Sequence, residues 1–230
     1  MSVSEALEAG EIRPFPSSNK RQAIQGALQR LIVIGRLEPG TPLVETQLAA
    51  EFGSSQAPVR EALMKLQEAG LVVRNGYRGT VVATTSMDEA REMVAVRLRL
   101  ETSGARRAVA GFDREMRDRL AGLIAEMEAA AGSEDLFALT ELDRAFHLAI
   151  FERAELPSLE PILTRCFLHV HRAALANPAR ARSLLQSARW HWPIVEALDS
   201  GCPDRAAAAL AEHVNNVIEG MPPLAGDEPE

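Results

Sequence analysis

Cysteine is nearly missing from this chain. Cys166 and Cys202 are the only two in 230 residues, so no disulfide framework is indicated and a reducing cytoplasm is the expected location. Neither has neighbours that would activate a thiol, and both read as small packing residues. Long apolar runs are missing as well. No stretch approaches the roughly 20 residues that cross a bilayer, and the opening MSVSEALEAGEIRPFPSSN has no apolar signal core. No membrane partner is expected, and residues 1–18 read as a mobile arm. An excess of positive charge is also missing: the formal net charge is −7, which argues against a chain that adheres to nucleic acid over its whole surface.

What is present is ordinary in bulk and uneven in distribution. Hydrophobic residues make up 47% and charged residues 25%, as in a soluble globular protein, and the length suffices for one large or two modest domains. Residues 1–83 carry 9 Lys and Arg against 8 Asp and Glu, whereas residues 84–230 carry 16 against 24. The acidic balance belongs to the second part. No internal repeat is visible, and the alanine run at 206–209 is plain helix.

The stretch LVETQLAAEFGSSQAPVREALMKLQEAGLV, Leu43 to Val72, reads as two short helices meeting at a tight turn. Leu43, Leu48 and Phe52 recur at helical spacing, and Gly53 supplies the permissive backbone that ends the first helix. Ser54 and Ser55 offer N-cap oxygens, and Pro58 is tolerated because it falls in the first turn. In the second helix Val59, Leu63 and Leu66 face inward, which leaves Gln56, Ala57, Arg60 and Lys65 outward; Gly70 closes it. Helix, glycine-containing turn, helix is the pattern of a helix-turn-helix. Upstream, LQRLIVIGRLEPG adds another amphipathic helix. Downstream, VVRNGYRGTVVA alternates apolar and polar residues about Asn75-Gly76, a hairpin signal. Three helices and a hairpin make a winged helix, with Arg60, Lys65, Arg74 and Arg78 placed to neutralise phosphates. The plainer alternatives are a helical core pair, a solvated Arg60 and an ordinary hairpin Arg78.

The run PGTPL…LAAEFGSSQAPVREAL…L…GLV…RGTVV resembles the DNA-binding domain of GntR-family bacterial transcription regulators over about residues 19–83. That resemblance implies a homodimer on a palindromic double-stranded DNA operator. Carried over by position, the DNA contacts are Thr46, Ser55, Gln56, Ala57, Arg60 and Gly79, with Lys65 and Arg78 beside them. Two positions depart from the family's usual pattern, which has arginine at Gln56 and often at Thr46. Arginine pairs bidentately with guanine and glutamine with adenine, so Gln56 is expected to shift operator preference at one position.

After a short ATTS linker the chain, residues 84–220, is nearly all helix-former. Ser86 with Glu89 makes a capping box that opens a helix to about Gly111. Further helices are expected over 113–131, from Ser133 to about Arg153, from Pro157 to Ala176, over 179–200 and over 204–220; residues 221–230 read as a disordered tail. The fold class is therefore mainly α: an N-terminal winged helix-turn-helix and a C-terminal all-α bundle of six to seven helices.

Polar residues fall on the inward faces of that bundle. Asp143 and His147, four apart, share a face with Leu136, Leu139, Phe146 and Ile150. His191 lies among Leu184, Ala188, Val195 and Leu198, and His213 among Leu210, Val214 and Val217. One carboxylate and three imidazoles form a ligand set suited to zinc, nickel or manganese. A buried carboxylate needs a partner; the plainer alternative is a bond from Asp143 to His147 or to an arginine. His169 and His171, two apart, cannot share a face and read as structural or pocket-lining.

Residues 86–220 resemble the FadR-type C-terminal (FCD) ligand-binding domain of one GntR subfamily, through DRAFH at Asp143–His147, WHWPIVEAL with His191 and AAALAEHV with His213. The resemblance implies a metal at Asp143, His147, His191 and His213 and a small organic acid effector completing its coordination. Arg97, in RLRLE, takes the position of a family arginine near the pocket and is expected to meet the effector carboxylate; a salt bridge to Glu101 is its alternative. Leu156-Pro157 departs from the family's frequent Asn-Pro. The function expected is a metabolite-responsive repressor. A metalloenzyme acting on a small organic acid and a pure metal sensor are the rivals; no general acid or base beyond the ligands favours the enzyme.

Overall fold

A computed structural model describes residues 19–76, 79–176 and 183–219, with side chains to residue 216. The chain divides into two compact units, residues 1–85 and 86–230. The arm at residues 1–18, Tyr77, Arg78, the Asn177-Pro178 break, Ala179 and the tail at 221–230 lie outside the described residues, as does the Val217 side chain.

In the first unit α1 (Lys20–Val33) buries Ile24, Leu28, Leu31 and Ile32. Gly35, at φ +77°, reverses the chain so that the Leu37 N–H donates to the Leu31 carbonyl at 3.0 Å; only glycine takes this conformation without strain. Helix α2 (Glu45–Glu51) follows, then α3 (Gln56–Glu68). Between them Gly53 sits at φ +55° and the Ser54 N–H donates to the Ala49 carbonyl at 2.9 Å. Ser55 holds the N-cap position in extended backbone, but its hydroxyl makes no capping bond. The Ser54 hydroxyl donates to the Ser55 carbonyl at 3.2 Å instead of capping the helix. What anchors α3 is its apolar stripe: Val59, Ala62, Leu63 and Leu66 are all buried, and packing outweighs capping in a helix of this length.

Strands β1 (Val72–Arg74) and β2 (Thr80–Val82) pair antiparallel, Arg74 opposite Thr80. This pairing is the hairpin that the alternation about Asn75-Gly76 signalled. The connection runs from Asn75 to Gly79, closed by the Asn75 N–H to the Gly79 carbonyl at 2.7 Å. The outer edge of β2 is covered by the segment before α2: Leu43 N–H donates to Thr80, and Val82 N–H to Thr41. Three helices and this hairpin are the winged helix expected.

In the second unit α4 (Met87–Ala108) starts with both halves of the capping box, the Glu89 N–H to Ser86 Oγ at 3.1 Å and the Ser86 N–H to Glu89 Oε2 at 2.8 Å. Helix α5 (Arg114–Gly132) is capped by Asp113. Ser133 does not open the next helix; its hydroxyl bonds back to Ala129 and Ala130, and Asp135 caps α6 (Leu136–Glu152). A carboxylate two residues on competes for the same cap, and Glu134 at φ +55° makes the corner. Leu136, read as inward, is 37% exposed in the first turn of α6. Pro157–Leu159 form a 3-10 turn into α7 (Glu160–Leu175).

The segment read as one helix over 179–200 is two, α8 (Leu184–Arg189) and α9 (Trp192–Asp199). Pro193 has no N–H to give the Arg189 carbonyl, so a continuous helix is broken there. His191 occupies the break. Helix α10 (Pro203–Glu219) ends the described chain. Residues of these helices form one core that includes Val94, Leu120, Ile124, Met127, Phe146, Ile150, Val195, Leu198, Leu210 and Val214. Helices α4 and α6 approach closely at Gly104, where a Cβ would lie 2.7 Å from Phe151 Cδ2. Cys166 is buried, and burial pushes its thiol pKa up, as befits packing and not nucleophilic chemistry. Among the described residues no helix is long and apolar enough to cross a membrane, and the described residues of the second unit contain no strand.

Candidate metal centre and nucleic-acid interface

Two sets of polar side chains stand apart from the ordinary surface. The first lies on α3. Because its stripe is buried, Ser55, Gln56, Ala57, Arg60 and Lys65 are all exposed. Thr46, at the start of α2, is exposed too, and so is Gly79, at φ +70° where the hairpin returns. Arg60 is not a free cation: its Nε and Nη2 lie 3.0 and 2.9 Å from Glu45 Oε2. The hydrogen bond to Glu45, then its charge, raises the guanidinium pKa. Lys65 reaches Glu68 Oε2 at 2.6 Å. Exposed pairs of this kind contribute little to stability, so an incoming phosphate or base edge can replace the acid at little cost. Glu45 was not foreseen as a partner of Arg60; its place in the first turn of α2, fifteen positions earlier, gave no periodic signal.

The second set lies inside the other unit. One ligand atom from each of Asp143 and His147 on α6, His191 at the α8–α9 break and His213 on α10 falls within 4.8 Å of the other three. Among the described residues Asp143 bonds neither to His147 nor to an arginine. Its Oδ1 is 3.1 Å from His191 Nε2 and its Oδ2 is 2.9 Å from His171 Nε2. Burial pushes the Asp143 pKa up, but the close His171 and His191 rings override it and hold the carboxyl well below its usual range. His147 Nε2 faces His213 Nε2 at 3.2 Å.

The outer ring nitrogens are held in turn. His191 Nδ1 lies 3.0 Å from the Ala188 carbonyl, which only accepts, so Nδ1 carries the hydrogen and Nε2 is aimed inward. His147 Nδ1 stands against Glu101 Oε2, giving the same orientation. Glu101 is itself paired with Arg97, Nε to Oε1 at 2.8 Å, both side chains 1% exposed, and Arg97 lies 3.8 Å over the Phe167 ring. Burial raises the Glu101 pKa; Arg97 and then His147 bring it below the ordinary value. Burial, then the neighbouring His191 and His147, holds the His213 pKa well down and keeps this imidazole neutral, the form that binds metals.

This arrangement fits a divalent cation on charge grounds as well as distance. A neutral His191, with its hydrogen on Nδ1, turns a lone pair toward a carboxylate oxygen. Two acceptors at 3.1 Å need positive charge between them, supplied by a second proton or by an ion. His213 Nδ1 is also buried and has no hydrogen-bond partner among the described residues, as is so of Arg97 Nη1 and Nη2.

Sequence reasoning named the four donors but missed Glu101 as the partner of His147, and His171 as that of Asp143. The i, i+4 pairing of Arg97 with Glu101 was legible; that Glu101 has a second oxygen for a ring on another helix was not. The spacing of His169 and His171 separates their faces without saying which one meets the acid.

A winged helix joined to a helical domain is the architecture of a DNA-binding regulator, and the helical domain here carries a buried imidazole and carboxylate cluster. Residues 20–82 match the bacterial regulatory proteins of the gntR family, and residues 92–216 match the FCD domain. The "Probable D-xylose utilization operon transcriptional repressor" of Paenarthrobacter nicotinovorans is 32% identical over 183 residues, 80% of each chain. The HTH-type transcriptional repressor RspR of Escherichia coli K12 is 28% identical over 206 residues, 90% of each. In fold the chain is similar to E. coli McbR/YncC, with a TM-score of 0.73, 22% identity, and coverage of 87% of this chain and 95% of that one. The chain belongs to the GntR family of bacterial transcription regulators and carries an FCD domain. These relatives are regulators, which removes the reason to read the cluster as an enzyme's.

Proposed function

We propose that this regulator is a metabolite-responsive repressor of the FadR subfamily, acting in the cytoplasm as a homodimer on a palindromic operator. Its helical domain holds one zinc, nickel or manganese ion through Asp143, His147, His191 and His213, and a small carboxylic acid is its effector. The observation that carries this reading is the convergence of those four donors within 4.8 Å of one another. The repressor names of two relatives support the sign of regulation.

An ion held by these four residues would supply a positive centre for an effector carboxylate. Glu101 and the Ala188 carbonyl keep the His147 and His191 rings turned inward, which lowers the cost of assembling the site. Arg97 keeps both Nη nitrogens for a second contact to the acid. On the other unit, Ser55, Gln56, Ala57 and Arg60 enter the major groove, Thr46 and Lys65 flank them, and Arg78 and Gly79 approach the backbone. The effector acts through its different affinity for two arrangements of the dimer, one that grips the operator and one that does not. Operator-binding anisotropy across a panel of small organic acids tests this. One acid is expected to shift operator affinity in metal-loaded wild type and to have no effect in His191→Ala; equal shifts in both would refute the reading.

A further inference from the structure

We infer that His171 fixes how Asp143 meets the ion, by holding Oδ2 so that the carboxylate binds through Oδ1 alone. This rests on the reading of the cluster as a metal centre. His171 extends from α7, outside the four-residue group, and its Nε2 is 2.9 Å from Asp143 Oδ2. A carboxylate oxygen only accepts, so this ring nitrogen carries its hydrogen and is not available as a donor to a metal. The other oxygen, Oδ1, already faces His191 Nε2 within the cluster. The two oxygens thus have separate partners, one inside the cluster and one outside it.

Position and exposure give this division a consequence. The His147 and His191 side chains are 0% and 3% exposed, whereas those of Asp143 and His171 keep 19% and 14%. His213 is half-buried like them, so Asp143, its outer partner His171 and His213 form the more open side of the cluster, the side open to an effector. A carboxylate free to bind through both oxygens fills the coordination position that an effector needs; one tied back through Oδ2 leaves it open. His171 is held by Phe167 four residues earlier, the ring centroids 5.7 Å apart, and Phe167 also lies under Arg97. His171 is a positioning residue that acts through Asp143.

The test compares full-length wild type with Asp143→Ala, His171→Phe and His171→Gln, using zinc in competition with a chromogenic chelator and cobalt(II) absorption as a report on coordination number. Asp143→Ala is expected to lose stoichiometric zinc. His171→Phe is expected to bind zinc about 10–100-fold more weakly, with an altered cobalt spectrum as the released carboxylate takes a second position. His171→Gln, whose amide N–H can reach the same oxygen, is expected to restore both the affinity and the spectrum. Failure of wild type to bind zinc or cobalt overturns the metal centre and this inference together. Metal binding by wild type that His171→Phe leaves unchanged in affinity and spectrum overturns this inference alone. A His171→Gln protein that behaves like His171→Phe also overturns it, because the imidazole itself would then be the ligand.

Discussion

The two units of this chain place their chemistry on opposite sides of the packing. In the winged helix the residues assigned to DNA project from α3 into solvent, and the stripe beneath them carries the stability. In the helical unit the polar residues are inside, and each holds another: Arg97 holds Glu101, Glu101 stands against His147, and His171 and His191 hold Asp143. An exposed site can therefore change specificity without disturbing the fold. A buried one has its function and its stability coupled, because removing one member strands a charge.

The largest test of that contrast is Glu101→Ala. It leaves the Arg97 guanidinium buried without its carboxylate, and the expected loss is about 3–5 kcal/mol by denaturant titration; a loss below about 1 kcal/mol would show that the interior pairs are not coupled to stability. Metal removal comes next. With free ion at about 100 times its Kd, binding adds about 2.7 kcal/mol, so a chelator should lower the thermal midpoint of wild type and leave that of His191→Ala unchanged. Arg60→Ala sharpens the other side. It should weaken operator binding by about 1–3 kcal/mol if Arg60 reads a base, or reduce the salt slope by about 1 if it holds a phosphate. Loss of the exposed Glu45 pair should leave stability nearly unchanged. Ser86→Ala removes an exposed cap from the helical unit. A cost of about 1 kcal/mol with unchanged metal affinity would show that burial, and not domain membership, sets the coupling.

Much of this was legible in the residues, and the misses share a cause. Glycines at positive φ, the Ser86–Glu89 box and the 3.6-residue spacing of Val59, Leu63 and Leu66 are local, so they read directly. Pro193 was local too, but the apolar spacing on both sides of it masked the break at His191. Ser133 lost its cap to Asp135 because neighbouring cap residues compete and the tertiary entry angle decides. The hairpin was legible from its alternation about Asn75-Gly76, while its register is set by the pairing of Arg74 with Thr80. Within the cluster, inward-facing acids and rings follow from periodicity. Which oxygen meets which ring depends on how α4, α6 and α7 pack, and no spacing along one helix contains that.

The account turns on whether the interior cluster takes up a metal ion. The direct measurement is metal content per chain, by elemental analysis after dialysis against zinc, nickel or manganese, for wild type and His191→Ala side by side. One ion per wild-type chain and none in a folded variant is the predicted result. A full equivalent retained by the variant, or none taken up by wild type, would contradict it.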